Sequence, residues 1–330
     1  MSGYQPGEQP KELNTEKTIK LNTNENPYSP SPKVKNLLSN FNPDLLRLYP
    51  DPKNCKLRRK IAEMQSCQNE QVFIGNGADE ILALCSFAFV ENNGNIGFFD
   101  PSYSLYPVIA RIRGVSASPV ETGINFEWSM PKSYSSSLFF LTNPNAPTGI
   151  LFPKETVENF CKQFRGIVVI DEAYVEFAHT HCIDLGLKYP NVLILRTLSK
   201  AYSLAGIRVG YAIGSSALIE ALFKIKDSYN VNQLSQQIAL AALADTATMH
   251  ANAERIKQTR SQLSHKLTDI GFHVYPSETN FLWVKPENIN AEYLYKELRK
   301  QNIFVRYFPN ARTKDFLRIT IGTDVQTGIL

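Results

Sequence analysis

The chain has 330 residues, of which 43% are hydrophobic and 20% are charged, and its net charge is +4. This composition is that of a globular protein with enough core for two domains. The mild charge and a single basic cluster, Lys56–Lys60 on one face of a helical pattern, argue against a nucleic-acid partner, and no apolar run approaches the ~18 residues of a membrane span.

The first ten residues are polar and rich in proline and lack a hydrophobic signal region, so we expect a cytoplasmic protein. The cysteines are odd in number and widely spaced, without a C-x-x-C pair, at Cys55, Cys67, Cys85, Cys161 and Cys182. This spacing predicts reduced thiols and neither a disulfide framework nor a metal site.

The predicted elements begin after an extended, proline-rich arm over residues 1–45. A helix near residues 54–65 and an apolar helix that ends near Val90 flank the first strand. Strands are predicted at Val72–Ile74, Ile96–Phe99, Leu138–Leu141, Ile167–Ile170, Val192–Leu195 and Ile207–Ile213. Alternation of short apolar strands with helices predicts an α/β fold with a mainly parallel, doubly wound sheet in a large domain over residues 46–245.

The pattern changes after residue 245. A long polar helix is predicted over Met249–Ile270, followed by short strands near Phe281–Val284, Phe304–Arg306 and Leu317–Ile321. These elements predict a second, smaller α+β domain over residues 246–330, which the arm of residues 1–45 completes.

Four successive predicted strands end in loops rich in polar and aromatic side chains. The loops are Phe99–Tyr106, Thr142–Gly149, Asp171–Tyr174 and Thr197–Lys200. Each loop alone is also typical of an ordinary turn or a solvated strand end. Because the carboxyl ends of parallel strands meet at one edge of a sheet, the four together predict a ligand site there.

Lys200 stands out in the segment Arg196–Arg208, beside Ser199 and directly after an apolar strand. Most lysines are solvated charges, but a lysine in this position can be a covalent anchor. Pyridoxal phosphate is a ligand that suits this edge. The edge combines a lysine, an acid, a phenol, an aromatic ring and a helix that begins at a glycine. The lysine forms a Schiff base, the acid keeps the pyridine nitrogen protonated, and the phenol donates to the ring oxygen.

The ordered set of motifs resembles the fold-type I aminotransferases, and more narrowly the histidinol-phosphate aminotransferase family. The resemblance extends from Pro6–Pro10 to Gly322 and so covers nearly the whole chain. It is carried by Leu21–Pro27, Tyr49–Pro52, Gly77–Glu80, Asn143–Gly149, Asp171–Tyr174, Thr197–Lys200, Asn280–Phe281 and Leu317–Gly322.

The resemblance implies a role for each matching position. Lys200 is expected to be the Schiff-base lysine, Asp171 the partner of the pyridine nitrogen and Tyr174 the donor to the ring hydroxyl oxygen. Tyr103 is expected to stack on the ring. The cofactor phosphate is assigned to Gly77, Ala78, Asp79, Thr197, Ser199 and Arg208, with Tyr49 reaching in from a neighbouring subunit of a homodimer.

The resemblance also implies the substrates. These are L-histidinol phosphate and 2-oxoglutarate, which transamination converts to imidazole-acetol phosphate and glutamate in histidine biosynthesis. Arg318 is expected to bind the α-carboxylate or the substrate phosphate, with Arg306 nearby, because guanidinium groups suit either anion. Asn22, Asn24 and Tyr28 in the arm are further candidates for substrate binding.

Two features depart from the family pattern. The family commonly has a second asparagine where this chain has Ala146, and that asparagine touches the ring hydroxyl oxygen. Either Asn145 takes this role, or Tyr174 acts with less help. The chain also ends at Leu330, where relatives usually continue through a final helix, so we expect the small domain to be thinly covered there.

Other functions remain open on the same residues. An aromatic amino-acid aminotransferase and a threonine-phosphate decarboxylase share this scaffold, and a non-catalytic cofactor-binding protein could retain it. Retention of Lys200, Asp171 and both substrate arginines argues against the non-catalytic alternative. A dinucleotide-binding enzyme is disfavoured because Gly75-x-Gly77 lacks a third glycine, with Glu80 in its place.

Overall fold

Eleven α-helices and thirteen strands form within residues 3–10 and 18–330, the residues that the computed structural model describes. The strands are β1 (Ile19–Lys20), β2 (Val72–Gly75), β3 (Asn95–Asp100), β4 (Ser116–Glu121), β5 (Leu138–Thr142), β6 (Ile167–Asp171), β7 (Val192–Thr197), β8 (Gly210–Gly214), β9 (Phe272–Val274), β10 (Phe281–Pro286), β11 (Ile303–Phe304), β12 (Arg306–Tyr307) and β13 (Leu317–Thr320). The helices are α1 (Pro32–Ser39), α2 (Cys55–Met64), α3 (Ala78–Phe89), α4 (Tyr106–Arg113), α5 (Lys154–Gln163), α6 (Ile183–Lys188), α7 (Ser216–Ile225), α8 (Gln233–Leu243), α9 (Thr246–Asp269), α10 (Ala291–Lys300) and α11 (Asp324–Ile329).

Seven strands form the central sheet in the order β2-β8-β7-β6-β5-β3-β4. Strand β8 is antiparallel to both neighbours, and the strands from β7 to β4 are parallel. Every residue of β5 and β7 is buried, because helices cover both faces of the sheet. One face packs on α3, α4 and α7, and α5 and α6 lie on the other. The predicted doubly wound α/β fold is confirmed.

The predicted strands of this sheet are present, with two differences. Strand β8 begins at Gly210 instead of Ile207, because Ala205–Ile207 form a 3₁₀ turn and Arg208 has a φ of 52°. Strand β4 was not predicted from the sequence. It is an edge strand in which Val120 is the single buried residue, so it lacks the apolar run by which the other strands were recognised.

A second, antiparallel sheet has the order β12-β13-β10-β9. The single strand predicted at Phe304–Arg306 is two short strands, since β11 pairs with β1 and β12 pairs with β13. The arm is therefore joined to the C-terminal part through parallel pairing of Ile19 with Ile303. It is not extended throughout, because it contains α1, which packs on α8. Division of the chain at residues 45 and 245 stays a prediction.

None of the helices in the described ranges 3–10 and 18–330 is both long enough and apolar enough to span a bilayer.

Candidate active site

One cavity of about 160 Å³ opens at the carboxyl edge of the central sheet. All four polar loops that follow β3, β5, β6 and β7 contribute to its wall, because these strands are parallel neighbours. The loop residues in the wall are Ser102, Tyr103, Ser104, Thr142, Ala146, Pro147, Asp171, Ala173, Tyr174, Thr197, Ser199 and Lys200. The predicted convergence of the four loops is confirmed.

Lys200 lies in this wall, in the loop after β7. Its Nζ lies 5.8 Å from the centre of the Tyr174 ring and donates to the carbonyl oxygen of Thr23 at 3.1 Å. Burial, followed by the nearby positive charge of Arg318, lowers the pKa of Lys200 to about 8. The amine is therefore uncharged, and nucleophilic, far closer to neutral pH than that of an ordinary lysine.

Asp171, the last residue of β6, is a buried carboxylate without a cationic partner. Its Oδ2 accepts a hydrogen bond from Tyr106 Oη at 2.9 Å, and its Oδ1 accepts one from the Ala173 amide at 3.1 Å. Burial raises the pKa of Asp171 to about 6, although these hydrogen bonds act in the opposite direction. No ion pair within the described chain includes Asp171, so a protonated pyridine nitrogen would supply the missing positive charge.

Tyr106 and Thr142 support Asp171, although sequence reasoning assigned them no role. The Tyr106 hydroxyl also lies 2.5 Å from Thr142 Oγ1. Thr142 is the register partner of Asp171 across β5 and β6. This arrangement depends on strand register, which the sequence pattern did not provide.

Tyr174 is buried, and its hydroxyl accepts a hydrogen bond from Asn24 Nδ2 at 2.8 Å. Ala146 lines the cavity, as its place in the motif predicts. Asn145 does not line the cavity. Its side chain accepts from Thr148 at 3.1 Å and donates to the carbonyl oxygen of Pro101 at 3.4 Å. The structure therefore places the Asn145 side chain away from the cavity, and its contact with the cofactor ring stays a prediction.

The predicted phosphate end lies at the N-terminus of α3. Gly77 has a φ of +82°, a conformation that favours glycine, and a Cβ there would lie 2.6 Å from Arg208 Nη2. Arg208 Nη2 lies 2.9 Å from Asp79 Oδ2, and Tyr103 Oη donates to Asp79 Oδ1 at 3.2 Å. Ala78, which lies between Gly77 and Asp79 in the sequence, also lines the cavity. A helix N-terminus beside a guanidinium group fits a phosphate.

Arg208 is exposed, although both of its neighbours, Ile207 and Val209, are apolar. Its side chain is 45% exposed, and its left-handed φ follows the 3₁₀ turn Ala205–Ile207, before β8 begins. Thr197 and Ser199 complete this end of the cavity, with Thr197 Oγ1 donating to Ser199 Oγ at 2.9 Å. Hydroxyl groups here can donate to a phosphate oxygen.

Two arginines form the opposite wall. Arg306 and Arg318 are register partners across β12 and β13, and both line the cavity. Like charges directly opposite each other destabilise a sheet, and neither arginine has an ion pair with a carboxylate of the described chain. Arg318 Nε is buried without a hydrogen-bond partner, and the guanidinium lies 5.2 and 5.4 Å from the centres of the Phe281 and Phe308 rings. The pair is therefore suited to a bound anion.

The beginning of the chain covers this wall. Arg306 donates to the carbonyl oxygens of Gln5 and Pro6 at 2.7 and 3.0 Å. Tyr4 lines the cavity and meets Tyr103 edge to face at 5.8 Å. Sequence reasoning missed Tyr4, because a single aromatic residue in a proline-rich segment gives no pattern.

Asn22 also lines the cavity, and its role in substrate binding stays a prediction. Its Nδ2 donates to the carbonyl oxygen of Glu8 at 2.8 Å, and its Oδ1 is buried without a partner. Tyr28 does not line the cavity, and its role in substrate binding stays a prediction. Its ring lies 3.9 Å from the guanidinium of Arg255, packed beside α9.

Tyr49 lies outside the cavity of its own chain. It is 80% exposed and stacks on Tyr229 with ring centres 4.4 Å apart. An exposed aromatic pair of this kind is available for contact with another molecule.

The family model for aminotransferase class I and II matches residues 16–329. Histidinol-phosphate aminotransferase 1 of Trichormus variabilis is 38% identical over 332 residues, which cover 100% of this chain and 94% of that protein. The histidinol-phosphate aminotransferase of Synechocystis sp. is 42% identical over 322 residues, which cover 97% of this chain and 91% of the relative.

Solved structures agree with the sequence relatives. The histidinol-phosphate aminotransferase from Sinorhizobium meliloti, in complex with pyridoxal-5'-phosphate, superposes with a TM-score of 0.88 at 26% identity and covers 94% of this chain and 88% of that one. The enzyme of the same name from Clostridium acetobutylicum gives 0.87 at 26% identity, with 94% and 96% covered. An L-threonine-O-3-phosphate decarboxylase from Porphyromonas gingivalis, at 20% identity and 0.81, shares the fold.

Proposed function

Because this chain belongs to the class I and II aminotransferases, and within them to the histidinol-phosphate aminotransferase family, we propose that it transfers the amino group of L-histidinol phosphate to 2-oxoglutarate. The products are imidazole-acetol phosphate and glutamate. The chain is an aminotransferase that uses pyridoxal phosphate. The observation that carries the choice of substrate is the arginine pair, Arg306 and Arg318, which faces the same cavity as Lys200 without a carboxylate partner in the described chain.

The residues of the cavity fit this cofactor. Bound pyridoxal phosphate supplies an aldehyde that condenses with amines and a ring that accepts electrons from the substrate carbon. Asp171 would hold the proton on the ring nitrogen, and Tyr174 would donate to the ring oxygen. The α3 N-terminus, with Arg208, Ser199 and Thr197, would hold the phosphate.

Lys200 is the residue that moves a proton. With the cofactor bound, its Nζ would take the proton from the substrate α-carbon and hold it for return to the reacting group. The lowered pKa of Lys200 suits this role, since a base must be unprotonated to accept a proton near neutral pH. The reaction follows a ping-pong order, because donor and acceptor occupy the same cavity in turn.

Arg306 and Arg318 bind the anionic groups of both substrates in turn. Histidinol phosphate presents a phosphate, and 2-oxoglutarate presents two carboxylates. The two guanidinium groups in the cavity wall can bind either anion, whereas phenylalanine offers them only its α-carboxylate and an uncharged side chain.

We further propose that the enzyme is a cytoplasmic homodimer in which Tyr49 of one subunit contacts the cofactor phosphate of the other. The exposure of Tyr49, together with Tyr229 and the half-exposed Leu46 and Leu48, supports this surface as the subunit contact.

The direct test is a comparison of wild type with Lys200→Ala. We expect the wild type to develop visible absorption with pyridoxal phosphate and the variant to lose both this absorption and about 10²- to 10⁴-fold in turnover. A variant that keeps near wild-type turnover would contradict the mechanism.

The substrate is tested by parallel assays of the wild type. We expect histidinol phosphate to be a better donor than phenylalanine, because of the arginine pair. Faster turnover of phenylalanine would indicate an aromatic amino-acid aminotransferase. Release of carbon dioxide from threonine phosphate without an oxo-acid acceptor would indicate a decarboxylase.

A further inference from the structure

We infer that Asn24 is a positioning residue for the reaction: its side-chain amide orients the Tyr174 hydroxyl so that the phenol proton points into the cavity. Asn24 lies in the arm, 150 residues before Tyr174, and its Nδ2 is 2.8 Å from the phenol oxygen. The inference rests on the cofactor site of the proposed function and does not depend on which amino donor is used.

The orientation of the Asn24 amide follows from its contacts with Thr320. The Asn24 backbone N–H donates to Thr320 Oγ1 at 3.0 Å. A hydroxyl that accepts there still has its own proton to donate, and Asn24 Oδ1 lies 3.0 Å from the same Oγ1. The amide oxygen therefore faces Thr320, and the amide NH₂ group faces Tyr174.

The orientation of the Asn24 amide determines where the Tyr174 hydroxyl can donate its proton. A phenol has a single proton, and its oxygen already accepts from Asn24. Asn24 is also the one hydrogen-bond partner of the Tyr174 hydroxyl among residues 3–10 and 18–330. The Tyr174 proton is therefore free to be donated to a ligand in the cavity.

Asn24 is held firmly in place. It is 1% exposed, and its carbonyl oxygen accepts from Asn280 Nδ2 at 2.9 Å. Its φ is 56°, a left-handed conformation that asparagine adopts more readily than most residues. Asn24 is therefore held by its backbone N–H, its backbone carbonyl oxygen and its Oδ1, and these contacts place its Nδ2 against the Tyr174 hydroxyl.

Neighbouring residues do not provide another amide for this purpose. Ala146 faces the cavity with a methyl group, and the Asn145 side chain is bonded to Thr148 and Pro101 away from the cavity. Burial raises the pKa of Tyr174, and the hydrogen bond from Asn24 opposes that increase. Asn24 thereby makes the phenol a better donor to the cofactor ring oxygen.

The test uses Asn24→Gly in the holoenzyme, because glycine tolerates the left-handed backbone. The readout is the pH midpoint at which the visible absorption of the bound cofactor changes. A weaker phenol donor stabilises the negative charge on the ring oxygen less. The Schiff-base proton that this charge attracts therefore has a higher pKa and dissociates at higher pH. We expect the midpoint to rise by about 0.5 to 1 pH unit, the effect of losing one hydrogen bond.

A double-mutant cycle with Tyr174→Phe separates this role from a general loss of structure. We expect Asn24→Gly to shift the midpoint in the wild-type background and to leave it within about 0.2 pH unit in the Tyr174→Phe background. Thr320→Ser, which keeps the hydroxyl, is the matched control and should titrate as wild type. An unchanged midpoint in Asn24→Gly, or an equal shift in both backgrounds, overturns the inference.

Asn24→Asp provides a second variant of nearly the same shape should the glycine variant fail to fold. Its carboxylate accepts the phenol proton instead of donating to the oxygen, so we expect an upward shift there too. A wild type that forms no visible band would contradict the proposed function, whereas a normal band with an unshifted Asn24→Asp midpoint would contradict only this inference.

Discussion

Three charged groups in the cavity have no ion-pair partner in the described chain: the Asp171 carboxylate, the Lys200 amine and the Arg318 guanidinium. The proposed function places a bound group beside each: the protonated ring nitrogen beside Asp171, the cofactor aldehyde beside Lys200 and a substrate anion beside Arg318. Burial shifts the pKa of each toward its uncharged form, upward for the acid and downward for the two bases. The site is therefore prepared for ligands at the expense of the stability of the empty protein.

The first prediction is that Asp171→Asn stabilises the protein without cofactor at pH 7. The pKa of Asp171 is about 6 in the folded chain and near 3.8 when unfolded, so between these values the folded state binds more protons. Its ionisation therefore lowers stability as the pH rises through this window. We expect a gain of up to about 3 kcal/mol at pH 7 from urea unfolding, smaller at pH 4.

Asp315→Asn, at an exposed position, is the control for this substitution and should unfold as wild type at both values of pH. The contrary result is an Asp171→Asn variant whose free energy of unfolding is lower than that of wild type by the same amount at pH 7 and at pH 4. That result would show that the folded protein stabilises the ionised carboxylate.

The second prediction concerns the reactivity of Lys200. Because its pKa is lowered to about 8, we expect its amine in the protein without cofactor to react with a limiting amine reagent with a midpoint near pH 8. Mass spectrometry of the labelled peptide measures this midpoint. Arg318→Gln removes the second cause of the shift, so the midpoint should move upward. A midpoint near 10.5 in the wild type contradicts burial of the amine.

At the scale of elements, strand ends and strand register place the functional groups. The strands β5, β6 and β7 were recognisable in the sequence because each is buried on both faces and reads as an apolar run. The residues after them were correctly predicted to meet. The pairing of Thr142 with Asp171 and that of Arg306 with Arg318 follow from register, which apolar runs of this kind do not determine.

A buried ion pair joins two of these strand ends. Arg196 in β7 donates through Nε and Nη2 to Glu172 Oε2, both at 2.8 Å, and the two side chains are 9% and 1% exposed. Glu172 also accepts from the Cys182 amide. The third prediction is that Arg196→Met lowers the free energy of unfolding by about 3–5 kcal/mol, because it leaves a buried carboxylate unpaired.

Lys224→Met breaks the exposed pair with Glu220, whose side chains are 69% and 68% exposed, and serves as the matched control. We expect its unfolding midpoint to equal that of wild type, since exposed pairs contribute little. Equal destabilisation by the two substitutions would rule out burial as the reason for the difference.

At the scale of the whole molecule, the cavity is assembled from three distant parts of the chain. The arm contributes Tyr4 and Asn24, the central sheet contributes Lys200, and the second sheet contributes Arg318. Pairing of β1 with β11 ties the arm to the C-terminal part and so brings Asn24 against Thr320.

The fourth prediction tests the proposed sharing of active sites between subunits. Lys200→Ala and Tyr49→Ala are each expected to be nearly inactive as pure dimers. After unfolding and refolding together, half of the dimers are hybrids in which one site has both wild-type residues. We therefore expect about one quarter of wild-type activity.

A mixture of Lys200→Ala with Asp171→Asn is the control, because both residues belong to the site of the same subunit and no hybrid site is intact. It should recover no activity. A Lys200→Ala and Tyr49→Ala mixture with only the sum of the parental activities would argue that Tyr49 acts within its own chain.

The sequence by itself determined the doubly wound fold and the meeting of Lys200, Asp171 and Tyr174, because buried parallel strands read as apolar runs and their carboxyl ends share one edge. Only the tertiary structure decided that Asn24 supports Tyr174 and that Asn145 and Tyr28 lie outside the cavity. Those outcomes depend on side-chain directions and on contacts between residues far apart in the chain, and neither is contained in local spacing or hydrophobic pattern.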